Sequence, residues 1–168
     1  MAETIAQWLG EIGLSPEIAI FVISLFPILE LRGGLIAAAL FNIEWLRAFI
    51  ICFIGNIIPV PFILLFIKKI FELLKKWGPM KKIVHKFETK AVTKSQETES
   101  KSKWGKILFI YAFVAIPLPG TGAWTGALIA AFMDIRLKYA IPTIIAGVLS
   151  AGIIMSVLTY FFPAMFGF

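Results

Sequence analysis

The sequence predicts an all-α integral membrane protein built from two inverted repeats, each a re-entrant helical hairpin followed by one transmembrane helix. Three observations predict this fold class: an apolar composition, a repetition within the chain, and short apolar segments broken by glycine and proline. Of the 168 residues, 60% are hydrophobic, and the mean hydropathy is +0.91. Soluble domains are usually about 45 to 50% apolar, so we expect membrane lipids to surround this chain.

The repetition has a constant offset of 92 residues. Pro27 and Pro119 form one identical pair, since 119 minus 27 is 92. Six further identical pairs keep this register: Gly34 with Gly126, Ala38 with Ala130, Ala39 with Ala131, Ile43 with Ile135, Ala48 with Ala140, and Gly55 with Gly147. The same register sets Asn42 opposite Asp134, and both are helix-capping types. Paired repeats of broken apolar segments are the best sequence indication of a transporter with its site between the repeats.

The chain is expected to form a single membrane domain with four parts. Residues 1–15 form an N-terminal amphipathic segment, residues 16–67 the first repeat, residues 68–106 a basic linker and residues 107–162 the second repeat. The linker holds twelve lysines and four glutamates, and twelve minus four gives it a net charge of +8. The positive-inside rule places such a segment in the cytoplasm. This interpretation explains the charge better than nucleic-acid binding does, so no nucleic-acid partner is expected.

The first repeat begins at Ser15-Pro16-Glu17, where serine can cap a helix, proline fits its first turn and glutamate favours its positive end. The apolar runs 18–29 and 35–41 are each shorter than the roughly 20 residues that a spanning helix needs. Residues 30–34, of sequence ELRGG, separate the two runs. We therefore expect a re-entrant hairpin with residues 30–34 at its tip. Residues 49–67 are long enough to cross the membrane once.

The second repeat has the same order of segments. A short apolar run at 107–118 is followed by the break Pro119-Gly120-Thr121-Gly122, a second short run at 123–133, and a crossing segment at 141–162. A hairpin that enters and leaves on one side adds no net crossing. Each repeat would then cross once, and the second copy must be inverted relative to the first.

The alternative topology makes both hairpins full spanning helices. It would place Arg136 and Lys138 outside the cell and the acidic N-terminus inside, which opposes the positive-inside rule. Re-entrant hairpins place both basic residues on the side of the linker, and we favour that form. Two spanning helices per chain cannot shield two hairpins from lipid, so a homo-oligomer is expected, most simply a homodimer.

Glu30 and Arg32 are the charged residues flanked on both sides by apolar segments. A charge near the bilayer centre costs about 2.5 to 3.5 kcal/mol, so it needs a partner or a wet cavity. We interpret Glu30 as the group that binds protons or another coupling cation, because burial disfavours a charged carboxylate while a nearby guanidinium favours it. Arg32 would attract an anion. The alternative is a structural ion pair between the two residues that closes the hairpin tip.

Backbone groups complete the candidate site. Glycine and proline supply non-helical backbone at the first tip, while glycine amides, threonine hydroxyls and the positive end of a half-helix could hold an anion at the second. The alternative is that glycine only permits close helix packing. The candidate substrate-binding and ion-binding residues are Pro27, Glu30, Arg32, Gly33, Gly34, Pro119, Gly120, Thr121, Gly122 and Thr125. No catalytic residue, metal ligand or cofactor is expected, since histidines, cysteines or paired carboxylates form no cluster at membrane depth.

The two tips, residues 26–34 (FPILELRGG) and residues 117–126 (PLPGTGAWTG), resemble the small multidrug export protein family of bacteria and archaea. The resemblance covers residues from about 18 to 160. It implies a multi-pass protein of a prokaryotic plasma membrane and supports Glu30, Arg32, Pro119 and Gly120 as motif positions.

That family looks similar to the DedA superfamily, whose members are associated with paired re-entrant loops, lipid scrambling or flipping, and recycling of polyprenyl phosphate carriers. An arginine expected in the second tip of DedA proteins is absent, and Trp124 and Thr125 stand in that region.

Three functions are open on this basis. The leading hypothesis is a secondary transporter, coupled to protons or another cation, that moves an amphipathic or anionic substrate such as a polyprenyl or lipid phosphate. The first alternative is an exporter of small lipophilic cationic drugs, with Glu30 as the counter-ion of the substrate. The second alternative is a non-transporting membrane scaffold whose basic linker docks a partner. An enzyme is not expected.

Overall fold

The computed structural model describes residues 13, 15–76, 103–118 and 120–162, and every regular element in these ranges is helical. The described helices are α1 (Pro16–Leu25), α2 (Glu30–Leu40), α3 (Trp45–Ile57), α4 (Pro59–Lys76), α5 (Lys103–Ala115), α6 (Ala123–Phe132) and α7 (Leu137–Ser156), which a π-helical turn at Val157–Phe161 extends. Most of the predicted N-terminal segment, most of the predicted linker and Pro119 lie outside the described residues. The all-helical prediction is confirmed for the part of the chain that the structure describes.

Helix α1 begins where the sequence predicts it. Ser15 is the N-cap, and its hydroxyl accepts a hydrogen bond from the Ile18 N–H at 3.4 Å. Proline occupies the first turn, and Glu17 follows it. Helix α1 ends at Leu25, and α2 packs back against it to form a hairpin. At about 1.5 Å per residue, α1 is about 15 Å long, half the thickness of a bilayer core.

Two described helices are long and apolar enough to cross a membrane: Trp45–Ile67, made of α3 and the first half of α4, and Leu137–Phe161. They have 23 and 25 residues, or about 35 and 37 Å at the helical rise. The first breaks at Ile58 because Pro59 has no N–H to donate. Both helices begin four residues earlier than the crossing segments predicted at 49–67 and 141–162.

The turns that follow α2 and α6 have the same backbone geometry. Asn42 and Asp134 both have a φ of 55°, a left-handed conformation that asparagine and aspartate tolerate better than most residues. Ile43 and Ile135 each donate their N–H to the carbonyl five residues earlier, at 3.0 and 3.1 Å. The next helices then begin at residues 45 and 137. The 92-residue register seen in the sequence therefore extends to the local structure.

Glycine in each long helix lets the first helix of the adjacent hairpin approach closely. A Cβ on Gly55 would lie 2.8 Å from the Phe21 carbonyl oxygen, and one on Gly147 would lie 3.2 Å from the Tyr111 carbonyl oxygen. Gly55 and Gly147 are 92 residues apart, so equivalent glycines of the two halves allow these close approaches. Between the halves, α2 packs on α7 and α4 packs on α6, which brings the two hairpin tips together.

Candidate substrate and ion site

The carboxylate of Glu30, at the first tip, binds the N-terminus of α6. Glu30 Oε1 accepts a hydrogen bond from the Trp124 N–H at 3.1 Å, and Glu30 Oε2 accepts one from the Ala123 N–H at 3.3 Å. The side chain is buried, with 5% of its surface exposed. The first N–H groups of a helix have no partner within the helix and carry its positive dipole end. Glu30 thus occupies the position at which α6 would bind an anion.

Gly122 makes room for this carboxylate. A Cβ at Gly122 would lie 1.7 Å from Glu30 Oε2, and the φ of Gly122 is +153°, a conformation that is essentially confined to glycine. Gly122 is also the residue 92 positions after Glu30. At this pair of equivalent positions the first hairpin has a glutamate, and the second has a glycine whose missing side chain leaves room for the carboxylate.

Glu30 itself has a positive φ of 51°. For a residue other than glycine, such a conformation stores about 1 to 3 kcal/mol and persists only where the surroundings impose it. The two hydrogen bonds from α6 are such a constraint. The backbone at Glu30 is therefore held in its conformation in part by the opposite hairpin.

Arg32 binds the segment that follows the C-terminus of α5, on the other side of the break between α5 and α6. Its guanidinium donates to the carbonyl oxygens of Leu118 and Ile116, the latter at 3.3 Å, and to Thr121 Oγ1 at 3.0 Å. The two carbonyls follow the C-terminus of α5, which is the negative end of that helix. Arg32 therefore neutralises the end of α5 while Glu30 neutralises the start of α6.

The structural ion pair considered between Glu30 and Arg32 is not formed. Among the described side chains, an ion pair is found between Arg47 and Glu17 on the surface, with 3.4 Å between nitrogen and oxygen. No such contact joins Glu30 and Arg32. Adjacent residues of one helical turn point in different directions, and the second hairpin offers each charge a closer partner. The two charges fasten one tip to the other instead of closing a single tip.

Trp124 makes the reciprocal contact. Its indole Nε1–H donates to the carbonyl oxygen of Leu25, the last residue of α1, at 3.1 Å. Trp124 is 92 residues after Arg32, so the two side chains occupy equivalent positions in the two repeats. Each of them caps the C-terminal end of the first helix in the opposite hairpin. Trp124 thus performs at the second tip the capping role that Arg32 performs at the first, without its charge.

The predicted site residues separate into two groups. Glu30, Arg32, Thr121 and Gly122 meet between the tips. The other described candidates at the second tip shape its backbone: Thr125 donates its hydroxyl to the Gly120 carbonyl at 3.2 Å, and Gly120 is exposed with a φ of +82°. The prediction of a non-helical tip at residues 30–34 was wrong, because the turn lies at residues 26–29, where Pro27 is exposed, and α2 begins at Glu30. Gly33 and Gly34 are therefore helical, and they allow close packing on Leu29 and on Ser24 and Cys52, respectively. Within the described ranges, no three histidine, cysteine, aspartate or glutamate side chains gather where they could hold a metal ion.

Three residues of the site were not predicted. The amides that hold Glu30 belong to Ala123 and Trp124, one and two residues beyond the predicted glycines. The third is Asn56, which is 2% exposed and lies eleven residues from each end of the long helix Trp45–Ile67. Asn56 lines a cavity of about 10 Å³ together with Glu30 and Arg32. A lone amide in the middle of an apolar run was the sequence feature that could have identified it.

A second, larger depression lies on the outer surface. It is an open groove of about 350 Å³ between α5 and α7, and its wall is almost entirely apolar. The residues that line it are Trp104, Ile107, Leu108, Tyr111, Pro142, Thr143 and Ala146. A volume of roughly 300 to 1,000 Å³ is usual for small-molecule sites.

Two long apolar helices and a site built from the ends of broken helices define a helical membrane protein. Within that class, the chain belongs to the family described as "Putative small multi-drug export protein", whose model matches residues 30–154. The match includes residues 30–34 of the first tip, the whole second tip and Asn56, and it confirms the family named from the sequence. No curated protein and no solved structure matches the chain.

Proposed function

We propose that this protein is a proton-coupled secondary transporter of amphipathic anions, a class that includes polyprenyl and lipid phosphates. The observation that carries the proposal is the carboxylate of Glu30 on the N–H groups of Ala123 and Trp124. An acid of the protein occupies a site suited to the anionic group of a substrate. Transport then requires that this internal anion leave and the substrate take its place.

The proposed architecture places the site at the membrane centre. Each hairpin dips halfway into the bilayer and returns, and the second repeat is inverted relative to the first. In support, α1 is about half the length of a spanning helix. The cavity beside Glu30 is lined by Asn56, at the midpoint of one long helix, and by Val148 and Ala151, which flank the midpoint of the other. Non-helical backbone at that depth needs protein around it, so we also propose a homodimer in a prokaryotic plasma membrane with the basic linker in the cytoplasm.

Protonation supplies the coupling. A charged carboxylate is held at a helix N-terminus by the dipole and by charge-assisted hydrogen bonds. A neutral carboxyl loses most of this attraction, so a proton on Glu30 frees the start of α6 for another anion. Movement of the tips also frees Arg32 from the carbonyls of the second tip, and its guanidinium suits bidentate binding of a phosphate. Proton binding and anion binding thereby favour each other.

The apolar part of the substrate would lie in the groove between α5 and α7. Its volume of about 350 Å³ accommodates a segment of a hydrocarbon chain, and its open side faces lipid in the proposed topology. Lys106 precedes Ile107 of the groove wall, and Lys138 lies about one helical turn before Pro142 of the wall. Both would add positive charge at the cytoplasmic end of the groove. This combination favours a molecule with one anionic head and an extended apolar tail.

The family description names multi-drug export, and a second candidate of that kind is export of lipophilic cationic drugs. In that mechanism the charged form of Glu30 pairs with the cation, so protons and substrate compete for one carboxylate. The two candidates predict opposite effects of pH on substrate binding. Acid strengthens the binding of an anion and weakens the binding of a cation.

Reconstitution in liposomes under a pH gradient separates the candidates. One assay uses a fluorescent polyprenyl phosphate and the other a cationic dye. We expect movement of the phosphate that depends on the gradient, loss of that dependence in Glu30→Gln, and wild-type behaviour in Glu17→Gln, which changes an exposed glutamate far from the tips. Full gradient-dependent transport by Glu30→Gln removes Glu30 from the mechanism. Movement of the dye alone selects the drug exporter, and movement of neither probe favours a non-transporting scaffold.

The topology has its own test. The chain has one cysteine, Cys52, so a Cys52→Ala background accepts single cysteines at chosen positions. With re-entrant hairpins, cysteines at positions 15 and 42, before and after the first hairpin, react with an impermeant reagent from the same face. Reaction from opposite faces would show that the hairpin spans the membrane.

A further inference from the structure

The side-chain oxygen of Asn56 has no hydrogen-bond partner, although the residue is 2% exposed. Buried polar atoms without a partner are rare in folded proteins, because they lose their hydrogen bonds to water and gain none in return. Asn56 lines the same small cavity as Glu30. An unsatisfied acceptor therefore faces the space beside the carboxylate that the proposed function uses.

No group that lines the cavity donates a hydrogen bond to the side-chain oxygen of Asn56. The N–H of Ala123 already donates to Glu30, and the guanidinium of Arg32 donates to three acceptors in the second tip. The remaining wall consists of Gly122 and apolar side chains, namely Leu31, Val114, Val148 and Ala151. The donor that Asn56 lacks can be supplied by a proton on Glu30 or by a water molecule that enters the cavity. Its volume of about 10 Å³ is close to the minimum that a single water molecule needs.

We propose that Asn56 and Glu30 together form a binding site for one proton. A hydronium ion transfers its proton to a carboxylate oxygen of Glu30, which forms an O–H bond and leaves a water molecule. The new O–H donates across the cavity to the amide oxygen of Asn56, directly or through that single water. Asn56 is in this way a positioning residue that stabilises the neutral form of Glu30. This inference rests on the proposed function, in which Glu30 carries the coupling proton.

Glu30 then has a different partner in each protonation state. The N–H groups of α6 stabilise the charged carboxylate, and the amide oxygen of Asn56 stabilises the neutral carboxyl. The proton thus moves Glu30 away from α6 and towards α3, which uncovers the start of α6 for the substrate. Among the described residues that line the cavity, Arg32 is the other charged group, and α3, α6 and α7 contribute no titratable side chain to it.

Infrared difference spectroscopy of the reconstituted protein tests the inference without a transport assay. The carboxyl stretch that appears on acidification and is missing in Glu30→Gln reports the protonation of Glu30. In Asn56→Leu, which has a similar branched shape but no acceptor, we expect the midpoint of this band to move towards acid by about half to one pH unit, since one neutral hydrogen bond is lost. Asn56→Ser keeps an acceptor and leaves space for water, so its midpoint should stay near that of the wild type.

Ser156→Ala is the matched control. Ser156 is 1% exposed and its hydroxyl is also without a partner, but it does not line the cavity. Its substitution should leave the midpoint unchanged. If Asn56→Leu is not stably folded, Asn56→Val replaces it, since valine stands at the equivalent position 148 of the second repeat.

Two negative results have different meanings. A Glu30 band with the same midpoint in the wild type and in Asn56→Leu overturns the role of Asn56 and leaves the transporter proposal standing. The complete absence of a Glu30 band across the range in which the protein is folded overturns both, because Glu30 then never carries a proton. A shift in Asn56→Leu that also appears in Ser156→Ala would mean that any buried polar group has this effect, which also overturns the specific role of Asn56.

Discussion

Replacement of Gly122 by alanine is expected to separate the two hairpin tips. The added Cβ would lie 1.7 Å from Glu30 Oε2 and 2.5 Å from the carboxyl carbon, distances that no side-chain packing tolerates. The φ of +153° at this position is also one that alanine rarely adopts. The carboxylate of Glu30 must therefore leave the N–H groups of Ala123 and Trp124.

The size of the effect follows from these two losses. The strained backbone contributes about 1 to 3 kcal/mol, and a lost hydrogen bond to a charged group contributes about 1.5 to 3 kcal/mol. With one hydrogen bond lost in net terms, Gly122→Ala should lower the free energy of unfolding by about 2.5 to 6 kcal/mol. Gly120→Ala is the matched control, because Gly120 has a φ of +82° and nothing lies within 4 Å of an added Cβ. It should lower the free energy by only about 1 to 2 kcal/mol.

Equilibrium unfolding in mixed detergent micelles, followed by circular dichroism, measures both variants. A Glu30→Ala background provides a further control, since it removes the atoms that the new methyl group would strike. In that background Gly122→Ala should have an effect of about 1 to 3 kcal/mol, from backbone strain alone. Equal losses for Gly120→Ala and Gly122→Ala in the wild-type background would refute the tip-to-tip contact of Glu30.

Three further predictions use the same unfolding measurement. Trp124→Phe keeps most of the ring but removes the donor to the Leu25 carbonyl, so it should destabilise by about 0.5 to 1.5 kcal/mol; no change would mean that this cap is unimportant. Arg32→Lys keeps the charge, but an ammonium cannot serve the same acceptors in the geometry of a guanidinium, and a loss of about 1.5 to 3 kcal/mol is expected. Gly34→Ala would place a Cβ 2.0 Å from the Ser24 hydroxyl and should destabilise the protein by about 1 to 3 kcal/mol. Combination with Ser24→Ala should recover part of this loss. A double variant as unstable as Gly34→Ala alone would instead assign the strain to Cys52.

The sequence was most informative where one chemical requirement acts locally. Ser15-Pro16 predicted the start of α1 because a cap and its helix are neighbours along the chain. The repetition at 92 residues predicted equivalent turns, and Asn42 and Asp134 have the same φ. The long helices begin four residues earlier than predicted, because each helix starts soon after the left-handed turn and its first residues precede the apolar run that marked the predicted start.

The candidate site was predicted in its composition but not in its connections. Glu30, Arg32, Thr121 and Gly122 were named from charge, glycine and the repeat register, and they do meet. An ion pair within the first tip was a reasonable alternative, because the sequence places Glu30 and Arg32 two residues apart. The hydrogen bonds from Ala123 and Trp124 to Glu30 were not predicted, because they are made by backbone N–H groups. Nearly every residue has such a group, so the residue type does not indicate which ones bind.

By itself, the sequence determined that this is a membrane protein with duplicated segments, and that Glu30 and Arg32 need partners within the protein. Composition and spacing are properties of the chain alone, so no tertiary structure was required for these conclusions. Only the tertiary structure decided which groups satisfy those charges. The contacts of Glu30 and Arg32 join residues 84 to 94 positions apart, and their geometry depends on how α2 packs on α7 and α4 on α6. The same packing brings Asn56 to the cavity, because the hairpins lie against the long helices, and these contacts set the position at which the two tips meet.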